Sequence, residues 1–200
     1  NNAISHITTQ GATRIYKMES NYATHMVTLN LKDNSYLEFI PEQIIPYKNS
    51  RFYQKTNLKI DDSSTVVYSE TIVPGRIAMG EMFDFDLCYL KTEGKINDRV
   101  QFRDSSLLSP KTQKIQSLAM FDDKTILTSV YILTKKHVTK VNDMINELFS
   151  HTQNISGGSS ILPNDSGISI RILGNSSEDQ KTTIYEILKI IRKEILPEYL

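Results

Sequence analysis

The chain has 200 residues, with 23 basic and 23 acidic side chains and therefore no net formal charge. Zero net charge argues against nonspecific binding to nucleic acid or to an anionic membrane surface as the main task. One cysteine, Cys88, excludes an internal disulfide and a cysteine-based metal site within this chain. No apolar run reaches the length of a membrane span. Composition therefore predicts a globular protein in a reducing, cytoplasmic setting.

Residues 1–133 show the period-two alternation of β-strands, broken by turns rich in Asp, Asn, Ser and Pro. The stretch 105–114, which contains Pro110, is predicted to be a loop. Strands are predicted over residues 4–9, 13–18, 27–31, 36–40, 51–60, 65–72, 85–90, 96–102, 117–121 and 126–133.

Two of these strand–turn–strand units resemble each other, and a proline follows each (Pro46 and Pro74). Such a unit cannot bury its apolar face alone, so repetition predicts layers that stack, as in a solenoid or a layered sandwich. At a constant offset, Leu29, Leu31, Asp33, Ser35, Leu37 and Phe39 match Leu58, Ile60, Asp62, Ser64, Val66 and Tyr68.

The last third changes to helical spacing. One amphipathic helix is predicted over residues 135–151, a polar mobile loop over 152–160 and a strand over 167–173. A second helix is predicted to begin at the capping-box pattern Ser177–x–x–Gln180 and to end near Pro197. Its predicted buried face consists of Ile184, Ile187, Leu188, Ile191 and Ile195. The expected fold is a single α+β domain over 1–200, predominantly β, with both helices packed on one side of a stacked β-layer. It divides into a β-rich part (1–133) and a helix–strand–helix part (134–200).

The stretch 73–85 combines a Pro74–Gly75 turn with Gly80, where a bulge or a close backbone approach is expected. Strand alternation after Gly80 would place Glu81 on one face with Phe83 and Phe85. A carboxylate on a buried face must be paired or protonated, and Arg76 is the nearest cation. Glu81 is therefore either a structural partner of Arg76 or a residue with a chemical role.

No established catalytic motif occurs, and the four histidines lack metal-ligand spacing. Glu81 with Asp84 or Asp86 could form a hydrolytic carboxylate pair, although alternation places them on opposite faces. Alternatively, these carboxylates could form an oxygen-rich site through which a divalent ion passes in transit. A second corner, around Pro41, places Glu38 among apolar neighbours and is a natural contact point for a partner.

Three segments together resemble one known family. ITTQGATRIYKM (7–18), YLEFIPEQIIPY (36–47) and PGRIAMGEMF (74–83) are similar, in order and spacing, to the urease accessory protein UreD, also called UreH. The resemblance covers the first half of the chain well and the helical third by general pattern. Family members usually carry an N-terminal portion with Gly-Gly and Gly-Asp before the first motif, so we expect this chain to be a trimmed form.

The resemblance implies a β-rich, non-enzymatic scaffold that binds the urease apoprotein with UreF and with the GTPase UreG. The resemblance also implies that nickel passes through the protein in transit and that no cofactor is tightly bound. Glu81 is the candidate carboxylate that would line this internal passage. The alternatives are a generic β-rich adaptor without a role in metal transfer and a carboxylate-based hydrolase. The family motifs fall on Thr8, Thr9, Gln10, Glu38, Pro41, Glu42, Pro46, Gly75, Arg76, Gly80 and Glu81.

Overall fold

Three successive turns of the chain stack on one another in the computed structural model, which describes residues 2–196. Equivalent strands of successive turns pair in parallel, as β1–β4–β7, β2–β5 and β3–β6–β8. The strands of the three turns are β1 (Ile4–Thr8), β2 (Thr13–Ile15), β3 (Ala23–Asn30), β4 (Tyr36–Ile40), β5 (Ile44–Pro46), β6 (Arg51–Ile60), β7 (Thr65–Ile72) and β8 (Leu87–Ile96).

The internal repeat explains this stacking. Leu29 pairs with Leu58 between β3 and β6, and Phe39 pairs with Tyr68 between β4 and β7. Matching residues of the two units therefore lie directly over one another, and the apolar side chain of one unit covers that of the next. The prediction of a stacked, predominantly β fold is confirmed.

Four further strands complete two sheets. The eight-stranded sheet has the order β1–β4–β7–β10–β12–β11, with β5 beside β7 and β2 beside β5, and the four-stranded sheet has the order β3–β6–β8–β9. The added strands, all paired antiparallel, are β9 (Arg99–Leu108), β10 (Ile126–Leu133), β11 (Ile155–Ile161) and β12 (Gly167–Gly174).

Both faces of the eight-stranded sheet are covered. Val66 and Tyr68 of β7 face the four-stranded sheet, whereas Val67 belongs to the core beneath the helices. That core lies under α1 (Val138–His151) and α2 (Ser177–Ile195), as predicted. The residues that α2 was predicted to bury, Ile184, Ile187, Leu188, Ile191 and Ile195, are all buried. No helix within residues 2–196 is long and apolar enough to cross a membrane.

Several local predictions are wrong, among them the break between the predicted strands 85–90 and 96–102, because β8 is continuous from Leu87 to Ile96. The capping box predicted at Ser177 does not form, because Ser176 is the N-cap of α2 instead and accepts from the Asp179 N–H.

The predicted loop over 152–160 contains β11, which pairs antiparallel with β12. Gly157 leaves room for the Phe149 ring of α1 against this strand, since a Cβ there would come within 2.3 Å of the ring. The predicted strand over 117–121 is a series of turns, with the Met120 N–H bonded to the Ser117 carbonyl. The predicted loop from residue 105 starts too early, since β9 continues to Leu108.

Candidate functional site

The 73–86 segment forms a tight corner rather than a strand. A short 3₁₀ turn, Ile77–Met79, is followed by Gly80 in the left-handed conformation, and Gly75 also has a positive φ of 138°. The predicted alternation of Glu81 with Phe83 is therefore wrong, because two left-handed glycines fold this segment back on itself. The Phe83 N–H closes the corner on the Pro74 carbonyl at 2.7 Å.

Arg76 and Glu81 pair across this corner, as the sequence suggested. Arg76 Nε donates to Glu81 Oε2 at 2.9 Å, and Arg76 Nη2 contacts Glu81 Oε1. The Lys48 N–H also donates to Glu81 Oε2, and the Arg76 guanidinium lies 4.0 Å from the centre of the Tyr47 ring. The hydrogen bonds from Arg76 hold the pKa of Glu81 below its ordinary value, against the effect of burial. This arrangement favours the structural reading of Glu81.

The first two family segments meet around Thr9. Its Oγ1 accepts a hydrogen bond from the Glu42 N–H at 2.9 Å. Thr8, which is exposed, lines a cavity together with Pro41 and Glu42. Gln10 is exposed beside them. The structure thus brings the Thr8–Gln10 motif and the Pro41–Glu42 corner together.

The second and third family segments meet at Pro46, which is buried in β5. A Cβ on Gly75 would lie 3.0 Å from the Glu81 carbonyl oxygen and 3.3 Å from that of Pro46. Only a residue without a side chain fits between these two backbones. Pro46 and Gly75 therefore join consecutive turns of the stack, which accounts for the proline and glycine at these positions.

Glu38 forms a second ion pair, this one buried. Its side chain is 1% exposed, and Arg192 of α2 donates Nε to Glu38 Oε1 at 2.7 Å and Nη2 to Oε2. The Tyr36 hydroxyl and His6 Nδ1 each lie 2.7 Å from the carboxylate. Burial alone would raise the pKa of Glu38, but the hydrogen bonds from Arg192, Tyr36 and His6 outweigh it and lower that pKa. Glu38 therefore ties α2 to β4.

A third polar cluster, absent from the sequence predictions, crosses the interior between the two sheets. The four-stranded sheet contributes Gln54, Thr56, Thr92 and Asp104. In the strand register, Thr56 of β6 lies opposite Thr92 of β8, and Thr92 lies opposite Asp104 of β9. From the eight-stranded sheet come Tyr68, Glu70, Tyr131 and Arg171. We call these eight residues the polar belt. Its polar groups lie between the apolar cluster around Phe52 and Phe85 and the one around Leu58 and Leu133, to which the Tyr68 and Tyr131 rings belong.

Hydrogen bonds connect most of the belt. The Gln54 amide donates to the Tyr68 hydroxyl at 3.0 Å and to Glu70 Oε2 at 3.2 Å, and the Tyr68 hydroxyl donates to Glu70 Oε2 at 3.0 Å. The Tyr131 hydroxyl donates to Asp104 at 2.9 Å, and Arg171 binds the same carboxylate.

Both ends of the belt reach the surface. At one end His25, which is exposed on the edge strand β3, lies 3.0 Å from Gln54 Oε1. At the other end the side chains of Arg171 and Asp104 are 36% and 26% exposed.

Glu70 is the unusual member of the belt because it is buried without a cation. It is 3% exposed, and every hydrogen-bonding group around its carboxyl in residues 2–196 is neutral (Gln54, Tyr68 and Tyr131). Burial raises the pKa of Glu70 to about 7, and Tyr68, Arg171 and Gln54 oppose that rise only in part. The Thr92 hydroxyl, 1% exposed, has no hydrogen-bond partner in the same part of the chain.

Within residues 2–196 no group of three or more His, Cys, Asp or Glu side chains is arranged to hold a metal ion. Cys88 is fully buried, and burial together with the nearby Glu70 raises the pKa of its thiol. Taken as a whole, the polar belt is a row of oxygen and nitrogen groups that lies between apolar layers and ends at the surface on both sides.

Comparison with known proteins decides the family. The sequence profile of the UreD urease accessory protein family matches residues 1–199. The chain belongs to the UreD family. The family resemblance predicted from three motifs is thus confirmed, and membership supports a role in urease maturation.

Curated relatives agree with this assignment. The chain is 34% identical over 195 residues to the urease accessory protein UreD of Cenarchaeum symbiosum, covering 96% of this chain and 68% of the relative. It is 35% identical over 202 residues to UreD 2 of Brucella canis, covering 97% and 67%. It is 31% identical over 198 residues to UreD of Yersinia pseudotuberculosis, covering 97% and 62%. The UreD match thus extends through the helical third as well as the three motifs.

Proposed function

We propose that this chain is a non-catalytic scaffold of urease maturation, which binds the urease apoprotein together with UreF and UreG and assists the incorporation of nickel. A cytoplasmic setting is part of the proposal. Membership of a family of urease accessory proteins supports it. The partner contacts we propose are the corners of the stack, where Pro41–Glu42 and the Arg76–Glu81 pair are partly exposed.

The polar belt is the observation that carries the nickel part of the proposal. A divalent ion crossing a protein interior needs replacements for its water ligands, and an apolar core would exclude it. The belt offers hydroxyl, amide and carboxyl groups in succession, and the imidazole of His25 at one end is a group that suits nickel. We propose the belt, rather than Glu81, as the route, because the Glu81 carboxylate is already occupied by Arg76 and the Lys48 N–H.

Thr92→Val tests the route with little disturbance to the fold, because it removes a buried hydroxyl that has no partner in residues 2–196 and nearly preserves shape. Ser69→Ala is the matched control: the Ser69 hydroxyl is also buried and without a partner in that part of the chain, but it lies on the helix-facing side of β7, outside the belt. Each variant is expressed with the complete urease gene set in nickel-containing medium. Urease activity, urease-bound nickel and co-purification with UreF are measured.

Thr92→Val is expected to retain the UreF complex and to lower both urease activity and nickel content, whereas Ser69→Ala leaves all three unchanged. Absence of any complex with UreF would refute the scaffold. Full activation by Thr92→Val and by Glu70→Gln would instead support an adaptor without a role in metal transfer. Full activation by Glu81→Ala would confirm that the corner carboxylate is structural.

A further inference from the structure

The four-stranded sheet has one face turned away from the rest of the protein. Along β6, every second residue from Arg51 to Lys59 is partly exposed, and the residues between them are buried. The strand register places these outward residues beside every second residue of β8 from Leu87 to Lys95. We call these residues and their outward neighbours on β3 and β9 the outer face. The polar belt lies on the inner side of the same strands, so the two surfaces are separate.

Positive charge dominates the outer face. Among the outward residues of the four strands the carboxylate is Glu93, which binds Lys95 at 3.1 Å and Arg103 at 2.5 Å. Because the whole chain has no net formal charge, this excess of positive charge is local and directional. Such a patch steers the approach of a partner of opposite charge. The cations of the outer face are Arg51, Lys55, Lys59, Lys91, Lys95 and Arg103.

Lysines lie directly opposite each other on two neighbouring strands of this face. The register places Lys55 beside Lys91, on parallel strands about 4.8 Å apart. It also places Lys59 beside Lys95, but there Glu93 offsets the repulsion through its ion pair with Lys95. The Lys55–Lys91 pair has no carboxylate within ion-pair distance in residues 2–196. Two like charges at this separation repel, so an anionic partner would relieve a repulsion that the free protein retains.

An apolar row borders this lysine pair. Tyr53 and Tyr89 also lie opposite each other, and their ring centres are 5.4 Å apart. Leu107 of β9 lies beside Tyr89 and is 47% exposed, and Met26 of β3 lies beside Lys55 and is 60% exposed. Aromatic side chains and methionine are enriched where proteins bind one another. The outer face therefore offers apolar contact area next to its positive charge.

The same row favours a protein over a nucleic acid as the occupant. Proteins that bind single strands present free aromatic faces on which the bases stack. Here the Tyr53 and Tyr89 rings pack on each other at an angle of 50° and are partly buried. Four strands and ten residues give a face of about 15 Å by 30 Å, which suits a small, transient protein interface.

We propose that the outer face docks a carboxylate-rich surface of a partner protein, with the Lys55–Lys91 pair at the centre of the contact. This contact is a second one, apart from the corners of the stack. It rests on the proposed scaffold function only for the complex in which the partner is found.

The first test measures binding of fluorescein-labelled dodecaglutamate to the purified chain by fluorescence anisotropy at low salt. The outer-face variant is Lys55→Gln/Lys91→Gln. The matched control, Lys140→Gln/Lys193→Gln, removes the same charge from exposed lysines of α1 and α2, beyond the other side of the eight-stranded sheet. The outer-face variant is expected to weaken binding about tenfold or more, and the control about twofold or less.

Three results of this titration would overturn the proposal. Absence of dodecaglutamate binding to the wild-type protein would remove its basis. Equal weakening by both variants would show attraction to charge without a defined surface. Tighter binding of a thymidine dodecanucleotide than of dodecaglutamate through the same two lysines would make the outer face a nucleic-acid surface.

Thermal unfolding of Lys55→Gln/Lys91→Gln shows that the variant is folded and tests the repulsion itself. Its melting temperature is expected to exceed that of the wild-type protein by about 1–3 °C at low salt, and the difference should shrink at high salt. A lower melting temperature would show that the two lysines do not repel each other, and would contradict the proposal.

Lysine acetylation of the complex that co-purifies from the complete urease gene set tests the partner. Mass spectrometry is expected to show Lys55 and Lys91 protected in the complex relative to the free chain, with Lys140 and Lys193 unchanged. If a complex forms and all four lysines react as in the free chain, the docking surface is overturned while the scaffold stands. Absence of any complex would refute the scaffold and the partner assignment together, so the two failures are distinguishable.

Discussion

The Tyr68 hydroxyl lies 3.0 Å from Glu70 Oε2, so that a phenol rather than a cation is the close partner of this buried carboxyl. Because burial raises the pKa of Glu70 and the hydrogen bond from Tyr68 opposes it only in part, folding favours the protonated acid. The charged groups nearest Glu70 are Arg171 and Asp104, which largely satisfy each other, and the Cys88 thiol also lies near it. The consequence is a dependence of stability on pH that is opposite in direction to that of the buried Glu38.

Wild-type protein is expected to lose stability as the pH rises from about 4.5 to about 7. The pKa of Glu70 is raised from 4.5 to about 7 on folding, so its favourable contribution is complete below pH 4.5 and is lost as the pH passes the raised value. The shift corresponds to about 3 kcal/mol. Glu70→Gln should flatten this part of the profile, which urea unfolding at a series of pH values measures. An identical pH slope in both proteins would show that Glu70 is not the group responsible.

Glu38→Gln is expected to destabilise the protein by about 3 kcal/mol, because it leaves the Arg192 guanidinium without its buried carboxylate. The pKa of Glu38 is lowered on folding, so this contribution is present above pH 4.5 and is lost as the pH falls through the lowered pKa. Thermal unfolding at neutral and acidic pH measures it.

Glu42→Gln is the matched control for this pair. Glu42 also bonds a side chain of α2, Lys181, but that lysine is 60% exposed. An exposed pair contributes at most about 1 kcal/mol. Equal losses of stability from Glu38→Gln and Glu42→Gln would contradict the distinction between a buried ion pair and an exposed one.

Thr92→Val is expected to raise stability by about 1 kcal/mol, since it removes a buried hydroxyl that finds no partner in residues 2–196. If the same substitution lowers urease activation, the unpaired oxygen serves function at a cost in stability. Chemical denaturation of the purified variant gives the first quantity. A destabilised Thr92→Val protein would indicate that a bound water or another group already satisfies the hydroxyl.

The stacked core could be predicted because its signal is local and repeated. Leu37 and Phe39 lie at the same offset from Val66 and Tyr68 as Leu29 lies from Leu58, and each pair is in register. The ends of α1 and α2 followed from spacing to within a few residues. The Arg76–Glu81 pair followed from proximity in sequence, since only five residues separate the two.

The polar belt could not be predicted, because its eight residues come from six strands and meet only when the two sheets face each other. Each belt position obeys the alternation of its own strand, as Gln54 and Thr56 do in β6. The available signals were Glu70 and Arg171, each the one charged residue of its strand, β7 and β12. The alternation of β7 places Glu70 on the same face as Val66 and Tyr68, which predicts that it points into the interior. The residues that surround it there cannot be predicted from the strand alone. The Glu38–Arg192 pair was equally hidden by sequence distance.

The corner at Gly75 supports a graded prediction. Gly75→Ala is expected to cost about 3 kcal/mol, because its φ of 138° disfavours a side chain and the new Cβ would lie 3.0 Å from the Glu81 carbonyl oxygen. Gly80→Ala has a positive φ of 73° but no atom within 4 Å, so only the conformational cost of about 1 kcal/mol remains. Gly11→Ala meets neither obstacle and should be close to neutral.

Urea unfolding of the three glycine variants separates backbone strain from steric contact. If Gly75→Ala and Gly80→Ala were equally destabilised, conformation alone would explain both, and the close approach of Gly75 to the Glu81 and Pro46 carbonyl oxygens would not matter. In the expected order, Gly75→Ala loses more stability than Gly80→Ala, because it adds a steric contact to the cost of a positive φ. The steric part of the Gly75→Ala loss should resist second-site rescue, because the atoms that the new Cβ would approach are backbone carbonyl oxygens, which no change of side chain removes.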